Sequence, residues 1–140
     1  MGSSMFFVDS GVWIGAFVPK DAHHEEALSV VKATASGKLD RVLTTAYIFN
    51  EVVTYVRRKI GAPQSIKVAR ALLDSENVKI VHVDEKIFNT AYHMFERYPR
   101  LSFTDAVTVV VMKDRGVEQL FSFDRGFDAV KDVRRLETIP

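Results

Sequence analysis

The sequence predicts an α/β fold built on a parallel sheet, and three observations predict it. The apolar run Met5-Phe6-Phe7-Val8 is too short for a helix and shows no in/out alternation, which fits a strand buried on both faces. Helical patterns separate each strand candidate from the next, in the order β, α, α, β, α, α, β, α. Two buried strand candidates run directly into an aspartate, Asp9 and Asp124. Ligands of open α/β sheets bind outside the carboxyl ends of the strands, so both aspartates stand where chemistry is expected.

Composition narrows the class. A chain of 140 residues with 47% hydrophobic content and ten phenylalanines suits one domain with a substantial core. That domain is expected to span residues 5–140, because Met1-Gly2-Ser3-Ser4 before a second methionine reads as a cloning remnant. With no cysteine there is no disulfide and no thiolate metal site, and the four histidines match no zinc spacing. No apolar stretch approaches the roughly 20 residues needed to span a bilayer, so a soluble, cytoplasmic protein without membrane contact is expected. The net charge of +1, from 19 basic and 18 acidic side chains, does not by itself announce a nucleic-acid binder. If four carboxylates were neutralised in a metal site, however, the remaining surface would be distinctly basic.

After the opening strand, 12–18 reads as a short helix stopped by Pro19. Asp21 is the expected N-cap of a second helix with Glu25 and Glu26 in its first turn, closed by Ser36-Gly37. His23 and His24 point about 100° apart there and read as solvated surface. Residues 41–44 form a strand candidate, and Thr45 caps a helix over 46–60 with Ile48, Val52, Val56 and Ile60 as its apolar ridge. Glu51 lies one residue off that ridge. Gly61-Ala62-Pro63 breaks the chain before a helix over 64–73, with Ile66, Ala69, Leu72 and Leu73 inward. A strand over 78–83 and a helix over 87–98 follow, capped by Asp84 and ended by Pro99, with Ala91, Met94 and Phe95 on one face.

The segment 107–112 is rich in valine and has strong strand propensity, yet a helix is predicted. Ser102 or Thr104 offers an N-cap, Gly116 a stop, and Lys113 and Arg115 suit a helix C-terminus. Asp105 then falls in the first turn, where free backbone donors favour its charged form. A strand over 117–123 runs into Asp124, and 134–139 is a candidate edge strand.

Asp9, Glu51, Asp105 and Asp124 can therefore converge at one end of the sheet. Each carboxylate pair about 4 Å apart repels by roughly 1 kcal/mol in water and about 4 kcal/mol at an effective dielectric of 20, so such a group needs cations. All-oxygen ligation selects a hard ion, Mg²⁺ or Mn²⁺. Such a site suits metal-assisted phosphodiester hydrolysis, in which the ion activates water and offsets charge on the phosphoryl group. Ser10, Thr104 and Ser122 are placed to hydrogen-bond the carboxylates. Arg125, beside Asp124, is placed for substrate or for a partner side chain entering the site.

Four motifs in order, Val8-Asp9-Ser10, Asn50-Glu51, Phe103-Thr104-Asp105-Ala106 and Ser122-Phe123-Asp124-Arg125-Gly126-Phe127, resemble the PIN-domain family, particularly its small ribonuclease toxins of the VapC type. The resemblance runs from Phe6 to about Ile139. It implies a three-layer α/β/α fold around a mainly parallel sheet of four to five strands. It also implies a Mg²⁺- or Mn²⁺-dependent endoribonuclease, a homodimer, an RNA substrate and a cognate antitoxin protein. By motif match Asp9, Glu51 and Asp105 would be core metal ligands and Asp124 the fourth acidic position, a role Asp128 could share. Gly11 departs from the pattern, since many members carry Ser, Thr or Asn there. A receiver domain would need an acidic pair beside the first strand, and a phosphatase with a nucleophilic aspartate would want a second aspartate at Gly11. The stronger rival is a catalytically inactive relative that binds RNA or protein.

Overall fold

The computed structural model describes residues 5–140, so the proposed cloning remnant lies outside the described residues. Five strands form one sheet: β1 (Met5–Val8), β2 (Arg41–Thr45), β3 (Val78–Val81), β4 (Gln119–Phe121) and β5 (Arg134–Leu136). Their order is β3-β2-β1-β4-β5 and every pairing is parallel. Six helices connect them: α1 (Ser10–Phe17), α2 (His24–Ala35), α3 (Ala46–Lys59), α4 (Ala62–Asp74), α5 (Glu85–Arg97) and α6 (Phe103–Asp114). Right-handed crossovers stepping from β1 to β2 to β3 place α1 to α4 over one face. The return crossover from β3 to β4 places α5 and α6 over the other. The strand order reverses between β1 and β4, so the topological switch point lies where Asp9 and Ser122 leave the sheet.

Phe7 and Val8 in β1 and Leu120 and Phe121 in β4 are fully buried, which explains their continuous apolar sequence. Trp13 belongs to this core, and its indole N–H donates to the Val8 carbonyl at 3.1 Å. The valine-rich segment is indeed helical. Residues 106–112 of α6 are all buried, so tertiary packing outweighs β propensity. Both ends of α6 are fixed by local chemistry. Ser102 and Asp105 form a reciprocal capping box, while the N–H groups of Gly116 and Val117 donate to the Lys113 and Met112 carbonyls, closing a Schellman motif. Gly116 sits at φ 68° as that motif requires.

Several expected details shift. α1 begins at Ser10 rather than 12, with Asp9 at its N-cap position, and β3 and β4 are shorter than expected. α2 begins at His24, and Asp21 instead accepts the His23 N–H at 2.8 Å in the preceding turn. Neither histidine is simply solvated. His23 stacks on Phe123 with centroids 4.1 Å apart, and His24 Nδ1, carrying its proton, donates to the Gly15 carbonyl at 2.8 Å. Ile60 is the exposed C-cap of α3 rather than part of its core ridge. α4 turns Ser65, Val68 and Leu72 inward and leaves Ile66 and Leu73 exposed. Arg57 Nε donates to Ser65 Oγ at 3.1 Å, which draws that polar row against α3. On α5 Ala91 is buried and Met94 half-buried, but Phe95 joins Phe88 and Tyr92 in an exposed aromatic row. Both helices carry more apolar rows than the sheet can cover.

α1 and α2 cross at Gly15, where an added Cβ would lie 3.0 Å from Ala27 Cβ and 3.3 Å from an Asp21 carboxylate oxygen. Ala27 is fully buried, so its side of the contact is tightly packed. Gly15→Ala should therefore destabilise the protein by about 1–3 kcal/mol through overpacking, read as a lower chemical-denaturation midpoint. An unchanged midpoint would show that the two helices can separate freely.

Candidate metal centre

The switch point holds Asp9 rigidly. Its backbone N–H donates to the Phe121 carbonyl at 3.0 Å, continuing the β1–β4 ladder by one residue. The side chain is 6% exposed, and its Oδ2 accepts a 2.8 Å hydrogen bond from the Ser122 hydroxyl. Ser122 Oγ in turn accepts the Asp124 N–H at 3.0 Å. One hydroxyl thus joins the carboxylate after β1 to the backbone after β4. Asp9 Oδ1 is buried with no partner, a condition shared among the described residues only by Thr44 Oγ1. An orphaned carboxylate oxygen is costly unless a ligand meets it.

Two other carboxylates, Asp105 and Asp124, act electrostatically on Asp9, and Glu51 acts in turn on Asp105. Burial first and then the charges of Asp105 and Asp124, against the opposing Ser122 hydroxyl and nearby Ser10 N–H, push the Asp9 carboxyl up to about 7. Asp105 is also raised, first by burial and then by Asp124 and Glu51, against its hydrogen bonds with Ser102. Asp105 occupies the first turn of α6, and its Oδ2 accepts the Ser102 N–H at 3.2 Å. Asp124 caps the 3-10 turn Arg125–Ala129, with its Oδ1 accepting the Gly126 N–H at 2.8 Å. Glu51 is exposed on α3, whose start is fixed by Thr45 Oγ1 accepting the Ile48 N–H. Each of the three aspartates has one oxygen committed to the fold. The structure gives the other oxygen no protein hydrogen bond among the described residues.

The remaining expected residues divide. Ser122 bonds Asp9 directly, while Ser10 contributes its backbone N–H and lines the adjoining cleft. The Thr104 hydroxyl has no hydrogen bond to a carboxylate, its carbonyl instead accepting from Thr108 at 3.1 Å. Arg125 is exposed at the start of the 3-10 turn, and Gly11 faces open space. Asp128 turns away from the acidic group: Arg135 binds it at 2.8 and 3.3 Å and holds its carboxyl below the usual range. Of the two late aspartates, Asp124 is the one whose charge acts on Asp9 and Asp105.

Sequence reasoning missed Arg135. Its guanidinium donates to Asp128, to Glu137 at 2.6 Å and to the Ser122 carbonyl at 3.0 Å, tying β5 and the 3-10 turn to the residue that holds Asp9. Its position in a short edge strand gave no sign of this.

Among the described residues no three acidic or histidine side chains are already gathered as tightly as a bound ion requires. Charge effects nonetheless link Asp9 to Asp105 and Asp124, and Asp105 to Asp124 and Glu51. The orphaned Asp9 oxygen and the all-carboxylate donor set fit a hard divalent cation.

A wholly parallel α/β sheet with a buried aspartate at its switch point and further carboxylates acting on it defines the class: an α/β protein with an acidic centre at the carboxyl ends of its strands. The chain belongs to the PIN domain family, whose model matches residues 6–133. It is 27% identical to a VapC ribonuclease of Archaeoglobus fulgidus over 124 residues, covering 86% of this chain and 77% of that protein. It is 28% identical to the 23S rRNA-specific endonuclease VapC20 of Mycobacterium tuberculosis over 127 residues, 89% of this chain and 93% of the relative. The crystal structure of VapC20, described as a sarcin–ricin loop cleaving toxin, superposes with a TM-score of 0.77 at 27% identity over 89% of this chain and 93% of that one. A toxin–antitoxin complex from Klebsiella pneumoniae shares the fold with a TM-score of 0.67 at 15% identity, covering 94% of this chain and 96% of its own.

Without a cation, the Asp9 carboxyl binds a proton in the folded state up to about 7 but in the unfolded chain only to about 4. Between those values the native state holds the extra proton, so this group's contribution to stability falls as pH rises, and levels off above about 7. Asp9→Asn removes that dependence. In EDTA the variant should melt at nearly the wild-type temperature near pH 4 and gain several degrees on it by pH 8. Parallel melting curves across the range would contradict the buried, charge-opposed placement of Asp9.

Proposed function

We propose that the chain is a Mg²⁺- or Mn²⁺-dependent endoribonuclease that hydrolyses RNA phosphodiester bonds as the toxin of a toxin–antitoxin pair. The observation that carries this is the buried Asp9 carboxylate with an unpartnered oxygen, amid the charges of Asp105, Asp124 and Glu51. The relatives' names, VapC ribonuclease and 23S rRNA-specific endonuclease, support RNA as the substrate. The likeness to VapC20 makes the sarcin–ricin stem–loop the first RNA to try.

In this reading Asp9, Asp105, Asp124 and Glu51 hold the cation, which supplies activation of water and stabilisation of charge on the phosphoryl group. Ser122 and the Asp105 capping box keep the ligating carboxylates in place before substrate arrives, so little reorganisation is required during reaction. Ser10 and Thr104 stand beside the ligands, and Arg125 meets either substrate or an antitoxin side chain. A cognate antitoxin and a homodimer complete the proposal. Cytoplasmic action follows from the substrate, and among the described residues no helix is long and apolar enough to cross a membrane.

Purified protein should cut the labelled stem–loop with Mn²⁺ or Mg²⁺ and stop in EDTA. Asp9→Asn and Asp105→Asn should each lower the rate at least about 100-fold, matching loss of several kcal/mol of charge stabilisation. Cleavage that survives chelation, or both substitutions, would overturn the mechanism. Independently of turnover, saturating Mn²⁺ should raise the melting temperature of wild type and leave Asp9→Asn nearly unmoved, because a ligand stabilises only the state that binds it.

A further inference from the structure

A cleft of about 470 Å³ opens directly beside the acidic centre, between the first turns of α1 and the second half of α3. Ser10 and Glu51 line its inner end, and Tyr55, Arg58 and Lys59 line its outer end. We propose that this cleft is the subsite for the RNA strand flanking the scissile bond, with Arg58 and Lys59 on its phosphates and the Tyr55 ring as a stacking face. This deepens the proposed function and rests on that reading.

Helical spacing makes the cleft a track. Glu51, Tyr55 and Lys59 follow one another at i+4, and Arg58 lies at i+4 from Thr54, so these side chains share one face of α3. From Glu51 to Lys59 the helix rises about 12 Å, enough to accompany a strand for a few nucleotides beyond the carboxylates. Arg58 and Lys59 make no ion pair among the described residues, whereas neighbouring Arg57 is turned to α4 through Ser65. Tyr55 is 38% exposed, with Lys59 Nζ 6.0 Å from its ring centroid. An exposed tyrosine beside two unpaired cations is the equipment that single-stranded nucleic acid uses, charge for the backbone and a π-face for any base. The electrostatic need is local as well. A polyanion approaching four carboxylates is repelled unless cations lie next to them, and Arg58 and Lys59 line the same cleft as Glu51.

Complementing the dipole at the C-terminus of α3 is the competing role for these cations, and the two roles have different readouts. The test uses Asp105→Asn protein in Mg²⁺, with fluorescence anisotropy of a labelled single-stranded RNA and of the sarcin–ricin stem–loop across a salt series. Arg58→Gln with Lys59→Gln should weaken binding about tenfold or more and flatten the plot of log affinity against log salt by about 1.4, the value for two lost single-strand phosphate contacts. Tyr55→Ala should weaken binding at least about fivefold with the slope unchanged, while Tyr55→Phe and Arg58→Lys should bind as the parent does. If the double variant binds RNA with parental affinity and slope, melting lower or not, the subsite proposal is overturned and the cleft is left to a protein partner. If the parent itself binds no RNA, the proposed function fails first and takes the subsite with it.

Discussion

The hydrogen bond from Ser122 to Asp9 is the interaction on which the site depends. It spans the switch point between β1 and β4, where one crossover leaves in one direction and the other returns from the opposite face. A carboxylate at such a point has no strand beside it to absorb its charge. Burial makes ionisation costly, and one hydroxyl satisfies only one of its oxygens. The fold therefore presents an unfilled demand for positive charge at a fixed place. A proton or a cation can meet it, and the charges of Asp105 and Asp124 deepen that demand.

Much of this was legible in the sequence because the controlling physics is local. Strands buried on both faces show as unalternating apolar runs, and an aspartate directly after such a run stands at the carboxyl edge of the sheet. The helix of α6 was legible against its valine content because capping and termination signals lie within a few residues of its ends. What could not be read depends on which of several apolar rows the sheet has room to cover. α4 and α5 each offer more than one, and the choice that exposes Ile66, Leu73, Phe88 and Phe95 is made by the neighbouring helices and by the Arg57–Ser65 contact. Likewise His23 and His24 look solvated in a first turn, but the close approach of α1 and α2 at Gly15, and the placement of Phe123, are tertiary facts.

The distinction between Asp124 and Asp128 shows the same limit inside the site. Both lie in one short turn, and a regular helix would put them on the same face. The chain instead forms a 3-10 turn capped by Asp124 itself, while the guanidinium of Arg135 takes Asp128 towards β5. Arg135 has 13% of its side chain exposed and donates to three residues, so it is a strut rather than a surface charge. Through the Ser122 carbonyl it reaches the residue that orients Asp9, and a basic side chain on an edge strand becomes part of the acidic centre's support.

Each aspartate of the centre divides its two oxygens between structure and chemistry. Asp9 gives one to Ser122, Asp105 one to the backbone of Ser102, and Asp124 one to the backbone of Gly126. A carboxylate held by neither oxygen would rotate away from its neighbours' charge, and one held by both would have nothing left for a ligand. Holding one oxygen fixes the direction of the other. The three anchors come from different sources, a side chain, a helix cap and a turn, so no single segment has to carry the whole geometry. Glu51 lacks such an anchor and is exposed on α3, which leaves it the one of the four carboxylates free to change its orientation. Because Glu51 also borders the cleft of Tyr55, Arg58 and Lys59, that adjustable carboxylate sits at the junction between the acidic centre and the surface along which a strand would approach.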